Sequence, residues 1–338
     1  MNDKVTIYSD IEIIEKIALN CDNYPIITEL FRKCSNLCLN MTEDQLDKSF
    51  EVDSSGLSTP VGQYFSSYDI PDPYALFDFF SERKDNEAGF YLHDSTAIFF
   101  LNIKNEESKS LRDKYGLLVL GIDEIQDEFL QLNFYKYRDL KNKDSIVGSD
   151  TNGWNTILDE IPTSDEFPLN AVVVSDNFLM KNRNGNVFCG TANLMNLFDR
   201  ILPQTLNIPF QIFIICPGCP NLTELSETAL KQFAIDINGK RPYQIIVEFL
   251  LTEKTPIHRR RIFTNYFSIT CEKGFSMFYV NPGNKVRENG NDVRVKSYYH
   301  DLIYSSGDLE KLSIYDDLEL IKGICAKEAI NTNNRLLE

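Results

Sequence analysis

Tryptophan and histidine are scarce in this chain, with one Trp and three His in 338 residues. Each imidazole in an unusual context therefore draws attention. No run approaches the roughly 18 apolar residues of a membrane-crossing helix. The first residues, Met1-Asn2-Asp3-Lys4, lack the basic and apolar regions of a signal peptide, so a cytoplasmic location is expected. Basic residues are also in deficit: 34 Lys and Arg against 50 Asp and Glu give a net charge of -16. The whole molecule repels nucleic acid and anionic membrane at long range, so a phosphate site must be a local basic focus. Two such foci exist, Lys254 to Arg261 and the looser set Lys285, Arg287, Arg294 and Lys296. Eight cysteines are too sparse here for a disulfide scaffold, and buried thiols are expected. Cys34-x3-Cys38 and Cys216-Pro-Gly-Cys219 make four thiolates for one zinc only if the fold joins them; the second pair reads as a turn. No cofactor is expected. Neither an internal repeat nor a low-complexity tract is present.

The pattern that remains is that of an α/β protein, with two domains, 1–150 and 151–338, each a mainly parallel sheet flanked by helices. In the first, Val5 to Leu19 reads as strand, acidic turn and helix, with Ser9 or Asp10 as N-cap. A helix through Ile26, Ile27, Leu30 and Phe31 leads to a strand at Leu37–Leu39. Thr42-Glu43-Asp44-Gln45 then opens another helix as a capping-box-like signal. Ser, Gly and Pro clusters mark 51–73 as a long loop or an excursion, and Tyr74 to Phe80 reads as helix. Ala97–Leu101, a charged helix closing on Gly116, and a strand to Leu120 make a βαβ unit. The polar stretch 138–168 is the expected linker, with the boundary near 150.

In the second half, the strands Ala171–Val174, Phe210–Ile215 and Tyr243–Leu250 alternate with helices to give βαβαβ. Ligands of such a parallel sheet gather outside the carboxyl ends of its strands. The unit leads into Pro256-Ile257-His258-Arg259-Arg260-Arg261, a His and a basic triplet interrupting strand-like text. A further strand is expected over Ile262–Thr270, a turn at Gly274-Phe275-Ser276 and a loop over Asn281–Asn291. A closing amphipathic helix uses Leu318, Leu320, Ile321, Ile324 and Ala329.

The first half, with Asp10 after its first strand and a charged helix closing on Gly116, loosely resembles PIN-like nuclease domains. That resemblance implies a divalent metal held by carboxylates, with Asp10, Glu43 and Asp44 as the ligands and a metal-activated water. Asn102 and Asn105 stand where that family carries a further acid. The same three acids also suit helix N-termini, where the macrodipole favours negative charge.

The second half, over about 165–280, resembles one half of the phospholipase D-like superfamily. A βαβαβ unit leads into His258-x-Arg260-x4-Asn265, with Gly274 and Ser276 downstream. The resemblance implies His258 as nucleophile, Arg260 in the lysine position and Asn265 in the aspartate position. It also implies Arg259, Arg261 and Ser276 as phosphate-binding residues. Histidine attacks phosphorus while flanking cations hold the oxygens, so no metal is needed. Two copies of the motif must meet and this chain has one, so an active site requires a homodimer with two His258 residues across its twofold axis. Arg260 replaces a point charge by a planar fork, and Asn265 supplies no negative charge to an imidazolium. What the resemblance implies is a metal-independent phosphodiesterase or nuclease of a prokaryotic nucleic-acid-processing or phage-defence system. The alternative keeps the fold without the reaction: an interaction or regulatory subunit with a protein partner.

Overall fold

The computed structural model describes residues 5–76, 79–125, 135–139, 161–180, 189–218, 223–253, 260–276, 278–281, 284–287, 292–300 and 308–338. The chain divides into two compact units, residues 1–133 with 299–315, and 134–298 with 316–338. The expected boundary near 150 lies outside the described residues.

The first unit is built on a parallel five-stranded sheet. Its strands are β1 (Val5–Ser9), β2 (Ser35–Leu39), β3 (Tyr74–Ala75), β4 (Ile98–Leu101) and β5 (Leu118–Gly121), in the order β3-β2-β1-β4-β5. β4 and β5 are wholly buried apolar runs, as parallel strands covered on both faces must be. Helices α1 (Ile11–Leu19), α2 (Pro25–Cys34), α3 (Glu43–Phe50) and α4 (Pro60–Ser67) connect β1 to β2 and β2 to β3. Helices α5 (Phe79–Asp85), α6 (Glu87–Leu92) and α7 (Asn105–Tyr115) make the later crossovers. Phe31 of α2 meets Phe100, while Phe90 and Tyr91 of α6 pack on Phe99, so neighbouring residues of β4 serve opposite layers.

The capping box at Thr42 and Gln45 forms with both of its hydrogen bonds, a device worth about 1 kcal/mol. Gly116 ends α7 at φ 62°, where a side chain would clash. Two segments of this unit take a form that the sequence left open or read differently. The segment 51–73 contains α4, started by the Thr59 hydroxyl accepting from the Gly62 amide with Pro60 in the first turn. The segment from Tyr74 opens as the short strand β3 before α5 begins at Phe79.

In the second unit a seven-stranded sheet has the order β6-β14-β11-β10-β7-β8-β9. The expected parallel core is there: β7 (Ala171–Ser175), β8 (Phe210–Pro217) and β9 (Ile245–Thr252), joined through α8 (Cys189–Ile201) and α9 (Thr223–Asn238). The sheet as a whole is mixed, not mainly parallel. β10 (Arg260–Phe263), β11 (Phe267–Cys271), β14 (Asp292–Ser297) and β6 (Tyr135–Asp139) pair antiparallel beside β7. β6, read as part of the first domain, is the outer strand of this sheet.

The single strand expected over Ile262–Thr270 is a hairpin instead. Its turn has no Gly or Pro; the Thr264 hydroxyl closes it by donating to the Phe267 carbonyl and accepting from the Tyr266 and Phe267 amides. Part of the expected loop 281–291 is also strand, β13 (Asn284–Arg287) pairing with β12 (Phe278–Asn281). Helix α10 (Asp308–Lys327) is the expected closing helix. Among the described residues no helix is long and apolar enough to cross a membrane.

Candidate functional site

The second sheet brings several motif residues to the carboxyl edge of β7. Asp176 follows that strand directly and is fully buried. One carboxylate oxygen accepts the Phe178 amide at 2.7 Å, the other the Phe275 amide at 2.6 Å. The carboxylate thus ties the loop after β7 to the loop after β11. Gly274 sits against it at φ 89°, and a Cβ there would lie 2.6 Å from Asp176 Oδ1. Conformation and space both require glycine. Ser276, also buried, donates its hydroxyl to the Phe178 carbonyl at 2.9 Å. Arg260 completes the cluster from the first position of β10. Its guanidinium stands 4.5 Å from the Phe178 ring centroid, and Nη1 donates to the Glu272 carbonyl at 3.0 Å. Arg260 Nε is buried and has no hydrogen-bond partner among the described residues.

The remaining motif residues lie elsewhere. His258 and Arg259 fall outside the described residues. Arg261 points to the opposite face of β10, is 2% exposed, and pairs through Nη1 with Asp317 Oδ2 of α10 at 3.0 Å. Asn265 is at the far end of the strand. Its Oδ1 accepts from the Asn170 amide at 2.9 Å and the Ala171 amide at 3.2 Å, and its Nδ2 donates to Asn170 Oδ1 at 3.1 Å. That fastens the β10–β11 turn to the start of β7. The strand alone separates Arg260 from Asn265 by about 10 Å, so one phosphoryl group cannot touch both. Asn265 is thus a buried clamp at the amino edge of the parallel strands.

Beneath the Arg260 cluster lie Cys216 and Cys271, both buried. Burial first, and then the negative charge of Asp176, pushes both thiols up. They stay protonated and inert near neutral pH. Cys219 is outside the described residues, and Cys38 belongs to the first unit, where burial and then Asp94 raise its thiol to about 11.

The first unit has its own strand-end carboxylate. The strand order reverses between β1 and β4, and Asp10 stands at that switch point, where ligands of open α/β sheets gather. Its oxygens are 3.1 and 3.0 Å from Arg83 Nη1, and the Asn102 amide donates to Oδ2 at 2.8 Å. Glu43 and Asp44 occupy the exposed first turn of α3. No group of three or more His, Cys, Asp or Glu among the described residues is placed to hold a metal. At Asp10, Arg83 supplies the positive charge. A half-open groove of about 390 Å³ lies nearby, walled by Ile11, Glu15, Met41, Lys48 and Val61.

No known family model and no curated protein matches the chain. The residues that sequence reading missed are Asp176, Phe178 and Asp317. Asp176 had a signal: an acid immediately after a buried apolar run of a parallel strand stands at the edge where ligands gather.

Proposed function

We propose that the second unit is a phospholipase D-like module that acts by binding, as an interaction or regulatory subunit, and does not hydrolyse phosphodiesters. One observation carries this reading. Arg261, Asn265 and Ser276 are each buried and hydrogen-bonded or paired within their own unit. A group that catalyses phosphoryl transfer must present its charge or proton to the substrate in the transition state. Arg261 presents its charge to Asp317, and Asn265 lies at the wrong edge of the sheet. The βαβαβ unit leading into the Arg260 strand supports the fold half of the resemblance.

A second reading is favoured by the convergence of Arg260, Gly274 and Ser276 around Asp176. In it His258 attacks phosphorus, Arg260 holds the phosphoryl oxygens, and a homodimer supplies the second histidine. The setting, a prokaryotic nucleic-acid-processing or defence system, is common to both readings.

Incubation of the full chain with labelled DNA and RNA in EDTA separates them. The binding reading expects intact substrate with wild type and with His258→Ala. Metal-independent cleavage that disappears in His258→Ala would overturn it and establish the second. Cleavage that needs magnesium and survives His258→Ala would move the chemistry to Asp10 and the first unit.

A further inference from the structure

Away from the Arg260 cluster, the looser basic focus of the sequence meets two exposed aromatic rings. Strand β6 is the outer strand of the second sheet, and Tyr135 and Tyr137, two residues apart, share one of its faces. They are 45% and 46% exposed. Their cross-strand partners on β14 are cations: Tyr137 pairs with Arg294 and Tyr135 with Lys296. Arg294 stands 5.5 Å from the Tyr137 ring centroid, and the Lys296 ammonium 5.8 Å from that of Tyr135. The register continues from Arg294 to Thr270 and on to Arg261, so this face is opposite to the one carrying Arg260 and Cys271.

We propose that this face of β6 and β14 is a stacking platform for single-stranded nucleic acid. Lys136 of β6 already guards the edge against pairing with other chains, and half-exposed rings add nothing to that guard. Among the exposed large hydrophobic side chains of the described residues, Tyr135 and Tyr137 are the one pair set two apart on a strand. Alternating rings and cations match a ligand that alternates π-faces and negative charges, which is the chemistry of a polynucleotide. The spacing selects the strandedness. Residues two apart on a strand are about 7 Å apart, roughly twice the 3.4 Å rise of bases stacked in a duplex. The rings therefore receive bases of an opened strand. With a net charge of -16 around it, the platform works at short range, and its binding falls steeply with salt. The platform lies on the opposite face from Arg260 and binds whether or not the Arg260 edge is catalytic.

The test is fluorescence anisotropy of the full chain with a labelled thymidine strand of about 15 nucleotides, long enough to cover the platform and its flanks. The same sequence as duplex, and polyphosphate, serve as competitors. The single strand is expected to bind, with duplex and polyphosphate competing weakly. Tyr137→Ala and Tyr135→Ala should each weaken binding roughly five- to hundredfold, while Tyr137→Phe and Tyr135→Phe retain it. Arg294→Gln should lower the slope of log affinity against log salt by about one. His258→Ala should bind as wild type does, which separates this surface from any phosphodiesterase site. Absence of binding at low salt would overturn the proposal. So would binding that survives both alanine variants, or equal competition by polyphosphate. Circular dichroism spectra matching wild type establish that the alanine variants are folded.

Discussion

Replacement of Asn265 by alanine tests whether this motif position serves the fold or the chemistry. The side chain is fully buried, and it provides the acceptor for two backbone amides, Asn170 and Ala171, and a donor for the Asn170 side chain. Alanine removes that acceptor from two amides in a region with no exposed surface. Each buried amide left without a partner costs about 1–3 kcal/mol, so the expected loss is roughly 2–6 kcal/mol. That is a large share of the roughly 5–15 kcal/mol of a typical domain. Asn265→Asp keeps the acceptor for both amides but buries an ionisable carboxyl and sets an oxygen against Asn170 Oδ1, so it too should destabilise. It should also create no cleavage activity, although it brings in the aspartate of the phospholipase D-like pattern that the motif resembles. Urea unfolding followed by far-ultraviolet circular dichroism measures the stabilities, and hydrogen exchange at Asn170 and Ala171 reports the local effect. A loss below about 1 kcal/mol in Asn265→Ala, or phosphodiester cleavage gained in Asn265→Asp, would refute the clamp assignment.

Asp317→Asn leaves the buried Arg261 guanidinium without its carboxylate and should destabilise the second unit by about 3–5 kcal/mol, measured by urea unfolding. Gly274→Ala should lower the melting temperature, because it adds positive-φ strain to a contact with Asp176; an unchanged midpoint would contradict the described loop. In the first unit, burial works to raise the Glu124 carboxyl, but hydrogen bonds from Arg112, Ser108 and the Gly121 amide together hold it below its ordinary value. A depressed folded value contributes stability that is present above the unfolded value and lost as pH falls. Wild type should therefore lose more stability than Glu124→Gln on acidification below about pH 4.5, read from melts across that range. Alkylation of the native protein near neutral pH should label the part-exposed Cys21 before Cys38, Cys216 and Cys271, by peptide mass spectrometry.

Much of the fold was legible because local chemistry and burial agreed. The runs Ala171–Val174 and Phe210–Ile215 are, but for Gln211, apolar on both faces, and parallel strands covered by helices permit little else. Thr42 with Gln45, and Gly116, announced helix ends whose geometry needs those residues. The β10–β11 hairpin was hidden because a threonine hydroxyl closes its turn in place of glycine or proline. Helix α4 was hidden because Thr59-Pro60, an N-cap followed by a first-turn proline, also reads as loop text. In the candidate site, Arg260, Gly274 and Ser276 were singled out by the resemblance; what the structure adds is that Gly274 lies against Asp176 and that Arg260 and Ser276 both meet Phe178. The separation of Asn265 was not, since linear spacing does not say that a strand ends and turns within the motif. Asp176 and Asp317 act across long sequence separations, which no local pattern reveals.

The most direct test of the central claim, a phospholipase D-like module without the reaction, is a search for a covalent intermediate on His258. The full chain is mixed with an activated phosphodiester in EDTA, quenched in base and digested, and the peptide carrying His258 is weighed. The account predicts an unmodified peptide at every time point. A phosphoryl adduct on His258, absent when His258 is replaced by alanine, would contradict it.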